Sequence, residues 1–333
     1  MAVQEKRELW REDGPLGPGR LSTDDPELSA LVNKLGGDAP VVDLGGTMSV
    51  NLHLVTAGLV LRVHQPFVSR RRVLTLRELR QALGDEGLRV PVPRGEPHRV
   101  RGRWAELETF VAHQRQPPAW SSYRWMYDAM ARLHRALAGV PTRIPRPVVA
   151  TYATPSSLRR WAALTADAVR SDPYARDMAA SLVRMVGRLE REWVPTRAVP
   201  NQLIHGDVRL SNIGLAPDGA AVVLDFGFVA TRPRIYDFAY ALSWMVLRPD
   251  ASGTGEAFPW DKVPELISVY EEGAGSRLTP AERQAILPYL AAVPLYLASI
   301  AGFMPDPVRQ LVGEQRFLDI ADWVLANPDA LAT

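Results

Sequence analysis

The feature that most constrains the fold is a change of sequence pattern near Pro117 and Pro118. Before these prolines, short runs of branched apolar residues alternate with glycine-containing turns, which is typical of β-strands. After them, long segments repeat apolar residues at helical spacing, beginning with residues 120–137. Strands first and helices afterwards predict an α+β protein with a small β-rich lobe and a larger, mostly helical lobe.

The pattern divides the chain into three parts. Residues 1–40 are an N-terminal extension, in which Asp25 and Pro26 favour the start of a short helix. Residues 41–112 form the small lobe, and residues 113–333 form the helical lobe. Strands are predicted at residues 41–44, 50–56, 59–64, 104–111, 199–204 and 221–228, and helices at residues 71–83, 120–137 and 177–193.

Composition excludes several classes of protein. The chain has no cysteine, which removes disulfides, thiol nucleophiles and cysteine-based metal sites and suits a reducing compartment. Its 39 basic and 37 acidic residues leave a net charge of +2, which gives no support to a nucleic-acid or membrane-surface partner. The most apolar segment, 286–304, is interrupted by Pro288 and Pro294 and is therefore interpreted as buried helices. We expect a cytoplasmic protein without a nucleic-acid or membrane partner. Its oligomeric state stays open.

Three side chains that carry oxygen are the candidates for chemistry. Asp207 and Asn212 lie on one loop between two apolar strand-like runs, and Asp225 follows the second run. Each of them alone could be a turn former or a cap. Together they place two carboxylates and an amide oxygen at neighbouring strand edges. Such a small set of oxygen ligands suits Mg²⁺ that is otherwise held by substrate phosphates.

Phosphoryl transfer needs this combination of groups. A metal must neutralise the transferring group, and the accepting hydroxyl must be oriented and relieved of its proton. Asp207 is the candidate base, and Asn212 and Asp225 are the candidate metal ligands. Arg209 could reach the γ-phosphate and offset its charge, or it could be a solvated loop arginine. We therefore expect a kinase-type reaction.

The motif His205-Gly-Asp207 with Asn212, followed by Asp225-Phe-Gly227, resembles the aminoglycoside phosphotransferase and choline kinase-like family. That family shares the protein-kinase-like two-lobe fold. The resemblance extends over roughly residues 41–245. It implies ATP or GTP as the donor, Mg²⁺ as the metal and an alcohol group as the acceptor.

The resemblance also assigns nucleotide-binding residues. Arg62 on the third strand stands where the kinase-like pattern has a phosphate-contacting lysine, and the planar guanidinium does not reproduce lysine geometry. Glu78 on the following helix is then its ion-pair partner, or else a solvent-facing helix residue. Glu108 lies in the segment 106–110 expected at the hinge, where backbone groups would bind adenine. The nucleotide-covering loop, whose alternative is a plain hairpin turn, contains Gly45, Gly46, Thr47, Ser49 and Asn51.

Two further residues receive structural roles from the resemblance. Asp237 corresponds to a buried aspartate that braces the catalytic loop through hydrogen bonds. His134 lies on the first helix of the helical lobe and is interpreted as structural.

The short segment after Asp225-Phe-Gly227 indicates which kind of acceptor is phosphorylated. Only residues 228–236 separate that motif from Asp237, and no Ala-Pro-Glu motif follows, so the long activation segment that supports a peptide substrate has no room. A small-molecule hydroxyl is therefore favoured, on an antibiotic such as an aminoglycoside, with a role in resistance, or on a metabolite. Acidic residues between 250 and 272 would suit a cationic acceptor, or they could be a solvated helix face.

Two alternatives remain open at this point. One is a kinase for Ser or Thr side chains of a peptide, as in the tailoring of ribosomal peptide natural products. The other is a nucleotide-binding pseudokinase without turnover, which is favoured only by Arg62 in place of lysine.

Overall fold

A computed structural model describes residues 20–36, 40–46, 48–141, 143–247 and 255–331 of the chain. The chain forms two compact units. The first contains the described residues up to Arg115 together with Val140–Val148 and Gly214–Phe226. The second contains Gln116–Gly139, Val149–Ile213 and the described residues from Gly227 onward. Two segments beyond residue 115 thus belong to the first unit, because their contacts are there.

The first unit is built on a five-stranded antiparallel sheet. Its elements in chain order are α1 (Pro26–Gly36), β1 (Val41–Asp43), β2 (Val50–Leu54), β3 (Leu59–Val63), α2 (Arg70–Asp85), β4 (Pro93–Val100) and β5 (Arg103–Thr109). The strand order in the sheet is β1-β2-β3-β5-β4. The predicted hairpin is present, since β2 and β3 pair with Leu54 opposite Leu59. The small β-rich lobe expected from the sequence is therefore confirmed.

One face of this sheet carries the apolar core. In β2 the burial alternates, with Val50, Leu52 and Leu54 inside, as a strand with one solvent-facing side requires. Leu28 and Val32 of α1 belong to the same core. The described part of the predicted N-terminal extension is therefore an integral piece of the first unit.

Strand β4 was missed by the sequence analysis. Its sequence contains Pro93, Pro97 and several charged residues, which argue against a central strand. In the structure β4 lies at the edge of the sheet, and its pairing with β5 shifts register between Arg94 and His98, next to Pro97. An edge strand tolerates proline because its outer N–H groups need no partner strand.

A second, three-stranded sheet has the order β6-β8-β9, with β6 (Gln114–Arg115), β8 (Ile213–Leu215) and β9 (Ala221–Val223). The predicted strand at 221–228 is shorter than expected, because a 3-10 turn begins at Phe226. Val222 makes an isolated bridge with Arg89, and the Val223 amide donates to the Arg89 carbonyl at 2.9 Å. These contacts explain why the segment before Asp225 belongs to the first unit.

The second unit is mostly helical. Its strands, β7 (Asn201–Ile204) and β10 (Ala230–Pro233), pair with each other antiparallel. The helices are α3 (Trp120–Gly139), α4 (Pro155–Ala168), α5 (Pro173–Glu192), α6 (Arg234–Val246), α7 (Val263–Ala274), α8 (Pro280–Ser299), α9 (Pro307–Gly313) and α10 (Gln315–Ala326). Helix α4 was not predicted from the sequence.

Helix α8 corrects one expectation. Pro288 and Pro294 lie inside a single continuous helix rather than breaking it into pieces. The segment Pro280–Phe303 is long and apolar enough by length and composition to cross a membrane, but 83% of its most apolar window is buried within the structure. An all-round apolar helix of this kind is typical of a protein core, as the sequence predicted.

Candidate active site

The loop that follows β7 is held by a buried carboxylate of α6. The backbone amides of His205 and Gly206 donate to Asp237 at 2.8 and 2.9 Å, and Asp237 is fully buried. The antiparallel pairing of β7 with β10, which leads directly into α6, brings the loop and the carboxylate together. The predicted bracing role of Asp237 is therefore confirmed.

His134 joins the hydrogen-bond network around Asp237. Its Nε2 lies 3.0 Å from Asp237 Oδ2, and its Nδ1 lies 2.8 Å from the Tyr270 hydroxyl. A neutral imidazole that donates from Nε2 accepts from the tyrosine at Nδ1, so all three groups are satisfied. His134 is only 2% exposed, which agrees with the structural role predicted for it.

Asp207, the candidate base, is 1% exposed and accepts side-chain hydrogen bonds on both carboxylate oxygens. The Tyr240 hydroxyl donates to Oδ1 at 2.6 Å. Asn212 Nδ2 and Arg209 Nη2 donate to Oδ2 at 2.8 and 3.2 Å. Asn212 also donates to the Asp207 carbonyl at 2.8 Å, which closes the loop on itself. The structure thus brings together Asp207, Arg209 and Asn212, as the sequence predicted.

Tyr240 was missed as a site residue. It lies one helical turn beyond Asp237 on α6, so the helical period alone places both side chains on the same face toward the loop. Burial and the nearby Asp207 raise the pKa of Tyr240 well above its ordinary value. The phenol therefore stays protonated and acts as a hydrogen-bond donor to Asp207.

The surroundings of Asp207 reach solvent through Arg209. The Arg209 side chain is 40% exposed, and its guanidinium lies 5.4 Å from the ring centre of Trp244 on α6. A cation, an aromatic ring and a desolvated carboxylate are thus adjacent within the second unit. This set can orient a hydroxyl and accept its proton while a positive charge stands beside it.

The first unit carries the predicted nucleotide loop between β1 and β2. Gly45 and Gly46 have φ values of +82° and +121°, which favour glycine. A Cβ on Gly46 would lie 2.8 Å from the Ser49 carbonyl oxygen. Asn51 Nδ2 donates to the Gly45 carbonyl at 2.9 Å, so its side chain braces the loop. Thr47 lies outside the described residues.

Arg62 lies between two carboxylates of the first unit. Its Nη1 donates to Asp225 Oδ1 at 3.0 Å, and its Nε lies 3.6 Å from Glu108 Oε1. Burial by itself lowers the pKa of Arg62, but Glu108 and Asp225 outweigh it and leave that pKa above its ordinary value. The guanidinium is therefore permanently charged, and its orientation is set by Asp225 at Nη1 and by Glu108 at Nε.

The prediction that Glu78 pairs with Arg62 was wrong. Glu78 is exposed, because Leu76, Leu79 and Leu83 form the buried face of α2 and Glu78 lies on the opposite, solvent-facing side. Glu108 is buried in β5. The carboxylates beside Arg62 therefore come from β5 and from the segment after β9.

Asp225 has a left-handed backbone with φ of +57°, which is uncommon for a residue with a side chain. Such a conformation costs about 1–2 kcal/mol and is found disproportionately at functional sites. The Asp225 side chain is 40% exposed. The backbone thus presents a partly solvated carboxylate directly after β9.

Asp225 is the type of residue that binds a metal arriving with a nucleotide. Among the described residues, no group of three or more His, Cys, Asp or Glu side chains is placed to hold a metal by itself. Mg²⁺ commonly takes one or two carboxylates from the protein and the remaining ligands from phosphates and water. Asp225 in the first unit offers one partly exposed carboxylate of this kind. The amide oxygen of Asn212, the other predicted ligand, belongs to the second unit.

Two of the acidic residues suggested for a cationic acceptor are already ion-paired within the second unit. Glu265 accepts from Trp120 at 2.7 Å and pairs with Arg124, and Glu271 pairs with Arg283. Asp250, the first acidic residue of that stretch, lies outside the described residues. The local acidic charge is therefore partly neutralised.

Comparison with known proteins agrees with the fold and the loop. The model of the Phosphotransferase enzyme family (APH) matches residues 43–284 of the chain. The protein therefore belongs to this family of phosphotransferases that act on hydroxyl groups.

Individual relatives are kinases of small molecules. The chain is 27% identical over 283 residues to a homoserine kinase of Rhodopseudomonas palustris (strain BisB18), which covers 81% of this chain and 80% of that protein. It is 25% identical over 272 residues to a homoserine kinase of Sinorhizobium medicae, with 78% of each covered. A microcompartment-associated aminopropanol kinase has a similar structure, with a TM-score of 0.68, 16% identity and coverage of 92% of this chain and 99% of that chain.

Proposed function

We propose that this protein transfers the γ-phosphate of ATP or GTP, with Mg²⁺, to the hydroxyl of a small amino alcohol or hydroxy amino acid in the cytoplasm. The observation that carries the proposal is the environment of Asp207, a buried carboxylate with donors on both oxygens and a cation beside it. Family membership supports the reaction type. The relatives named as homoserine and aminopropanol kinases support the acceptor class.

Each residue has a defined part in this reaction. Asp207 orients the acceptor hydroxyl and takes its proton as the new P–O bond forms and the bond from the γ-phosphorus to the bridging oxygen breaks, which releases the nucleoside diphosphate. Arg209 offsets charge on the transferring phosphoryl group. Asn212 and Asp225 are the proposed ligands of Mg²⁺, which neutralises the phosphates when it is bound.

The remaining proposed roles concern the nucleotide. Arg62 contacts its phosphates, and Glu108 lies in the strand from which the backbone would reach adenine. The proposed covering loop consists of Gly45, Gly46, Thr47, Ser49 and Asn51. Glycine amides in that loop can approach phosphate oxygens closely because no side chain intervenes.

The test is an acceptor screen that follows ADP release. Homoserine, 1-amino-2-propanol, choline and an aminoglycoside are compared at equal concentration with Mg–ATP. We expect acceptor-dependent ADP release with an amino alcohol or hydroxy amino acid and its loss in Asp207→Asn. Asp218→Asn is the matched control, because Asp218 is an exposed aspartate that pairs with Arg89 at the surface and accepts from the Ala220 amide. Release that is independent of every acceptor, or full activity in Asp207→Asn, would contradict the proposal.

A further inference from the structure

The first unit contains a buried cluster of charges that the sequence analysis did not anticipate. Glu106 and Glu108 alternate along β5, so both side chains lie on one face of the sheet. They are 1% and 4% exposed. On α2, Arg77 and Arg80 lie one turn apart and face them. Buried carboxylates of this kind are stable only when they are paired.

Arg80 connects the two glutamates. Its Nη2 lies 2.6 Å from Glu106 Oε2, and its Nη1 donates to Glu108 Oε2. Glu106 is further paired with Arg77 at 3.2 Å and lies 2.8 Å from His64 Nε2. Burial alone would raise the pKa of Glu106, but Arg80 and His64 hold it well below its ordinary value. Glu106 is therefore ionised, and its role is to anchor α2 on the sheet.

Glu108 has a different position in the cluster. Its Oε2 is taken by Arg80, and its Oε1 faces Arg62 Nε at 3.6 Å. This separation is an ion pair rather than a hydrogen bond. Glu108 thus joins an arginine of α2 to the arginine of β3 that also contacts Asp225. The two carboxylate oxygens of Glu108 face two different arginines.

The arrangement inverts the charges expected from the kinase-like pattern. That pattern places a carboxylate on the helix after β3, at Glu78, whereas α2 presents Arg80 toward the sheet and Glu78 toward solvent. The carboxylate that faces Arg62 comes from β5, which is hydrogen-bonded directly to β3. Arg62 is therefore held by the sheet itself and not by the helix.

We propose that Glu108 is the positioning residue for Arg62, holding the guanidinium away from full pairing with Asp225 so that it can receive a nucleotide phosphate. The proposal rests on the proposed function. With Glu108 neutralised, Asp225 is the carboxylate still hydrogen-bonded to Arg62. Glu106, which also attracts Arg62, stays engaged by Arg77 and Arg80, and the guanidinium is therefore drawn toward Asp225. Both groups then become less available, Arg62 for phosphate and Asp225 for the metal.

The experiment measures binding of Mg²⁺–AMP-PNP by calorimetry to the wild-type protein, Glu108→Gln, Arg62→Met and the double variant. We expect the dissociation constant for the nucleotide to rise about ten-fold in Glu108→Gln. Adding Glu108→Gln to Arg62→Met should cause no further loss of affinity, because the effects of coupled residues are non-additive. In steady-state assays the KM for ATP rises, whereas the KM for the acceptor is unchanged.

A matched control separates positioning from loss of stability. Glu282→Gln also removes a buried carboxylate paired with an arginine, since Glu282 is fully buried and lies 2.7 Å from Arg234 Nε in the second unit. We expect it to lower the melting temperature without changing the nucleotide dissociation constant. Should Glu108→Gln fail to fold, Glu108→Asp keeps the charge on a shorter side chain, and the same cycle with Arg62→Met applies.

The outcomes distinguish this inference from the proposed function. Nucleotide affinity in Glu108→Gln equal to wild type, or an effect fully additive with Arg62→Met, would overturn the positioning role alone. Nucleotide binding with the expected coupling but no ADP release with any acceptor would overturn the proposed function and leave the role of Glu108 standing. A wild-type protein that binds no nucleotide would overturn both.

Discussion

Replacing Gly206 with alanine tests how the loop that carries Asp207 is held. Gly206 has φ of +82°, and an added Cβ would lie 2.7 Å from the Phe228 carbonyl oxygen and 3.1 Å from Phe228 Cβ. A left-handed alanine costs about 1–2 kcal/mol. The clash with the Phe228 backbone adds about 1–3 kcal/mol to this cost, because neither backbone segment can move without losing its own hydrogen bonds.

We therefore expect Gly206→Ala to lower the free energy of unfolding by about 2–5 kcal/mol, measured by urea denaturation with tryptophan fluorescence. Activity should fall as well, since the Gly206 amide donates to Asp237 and its carbonyl accepts from Thr151 at 2.5 Å. A shift of this residue displaces Asp207, which follows it directly.

The matched control is Gly219→Ala. Gly219 has a nearly identical φ of +85°, but an added Cβ there would meet no atom within 4 Å. Gly219→Ala should lower the free energy of unfolding only by the cost of the left-handed backbone, about 1–2 kcal/mol, and should leave turnover unchanged. Equal destabilisation in the two variants would refute the argument that close approach to Phe228 holds the loop.

Three further predictions follow from the same structure. Asp237→Ala leaves the amides of His205 and Gly206 without their buried acceptor and should cost about 2–6 kcal/mol in urea denaturation; a loss below 1 kcal/mol would contradict the bracing role. Tyr240→Phe removes the donor to Asp207 Oδ1 and should lower kcat about ten-fold or more, whereas Tyr127→Phe, which removes a buried hydroxyl bonded to a backbone carbonyl, should leave kcat unchanged. Because the pKa of Glu106 is lower in the folded protein than its usual value near 4.5, its contribution to stability is present above that pH and is lost as the pH falls; the free energy of unfolding should drop below about pH 4.5, less steeply in Glu106→Gln, and equal slopes would contradict this.

The local elements near the site were largely predictable. The hairpin of β2 and β3, helix α2 and the strand before Asp207 followed from periodicity and turn residues, which act between neighbours in the sequence. The loop containing Asp207 and Asn212 was found because its polar residues interrupt apolar runs. The two failures have different causes. Strand β4 was hidden by its prolines, and α8 continues through two prolines because tertiary packing outweighs their cost.

What only the tertiary structure decided is the pairing of charges. The sequence by itself indicated that Asp207 and Asn212 act together, because both lie on one short loop between apolar runs, and the structure joins their side chains by a hydrogen bond. It did not determine which carboxylate faces Arg62, because Glu78, Glu106 and Glu108 are equally acidic in a sequence. The partner was selected by the register of β3 against β5 and by the rotation of α2 about its axis, and both depend on apolar packing between segments distant in the chain.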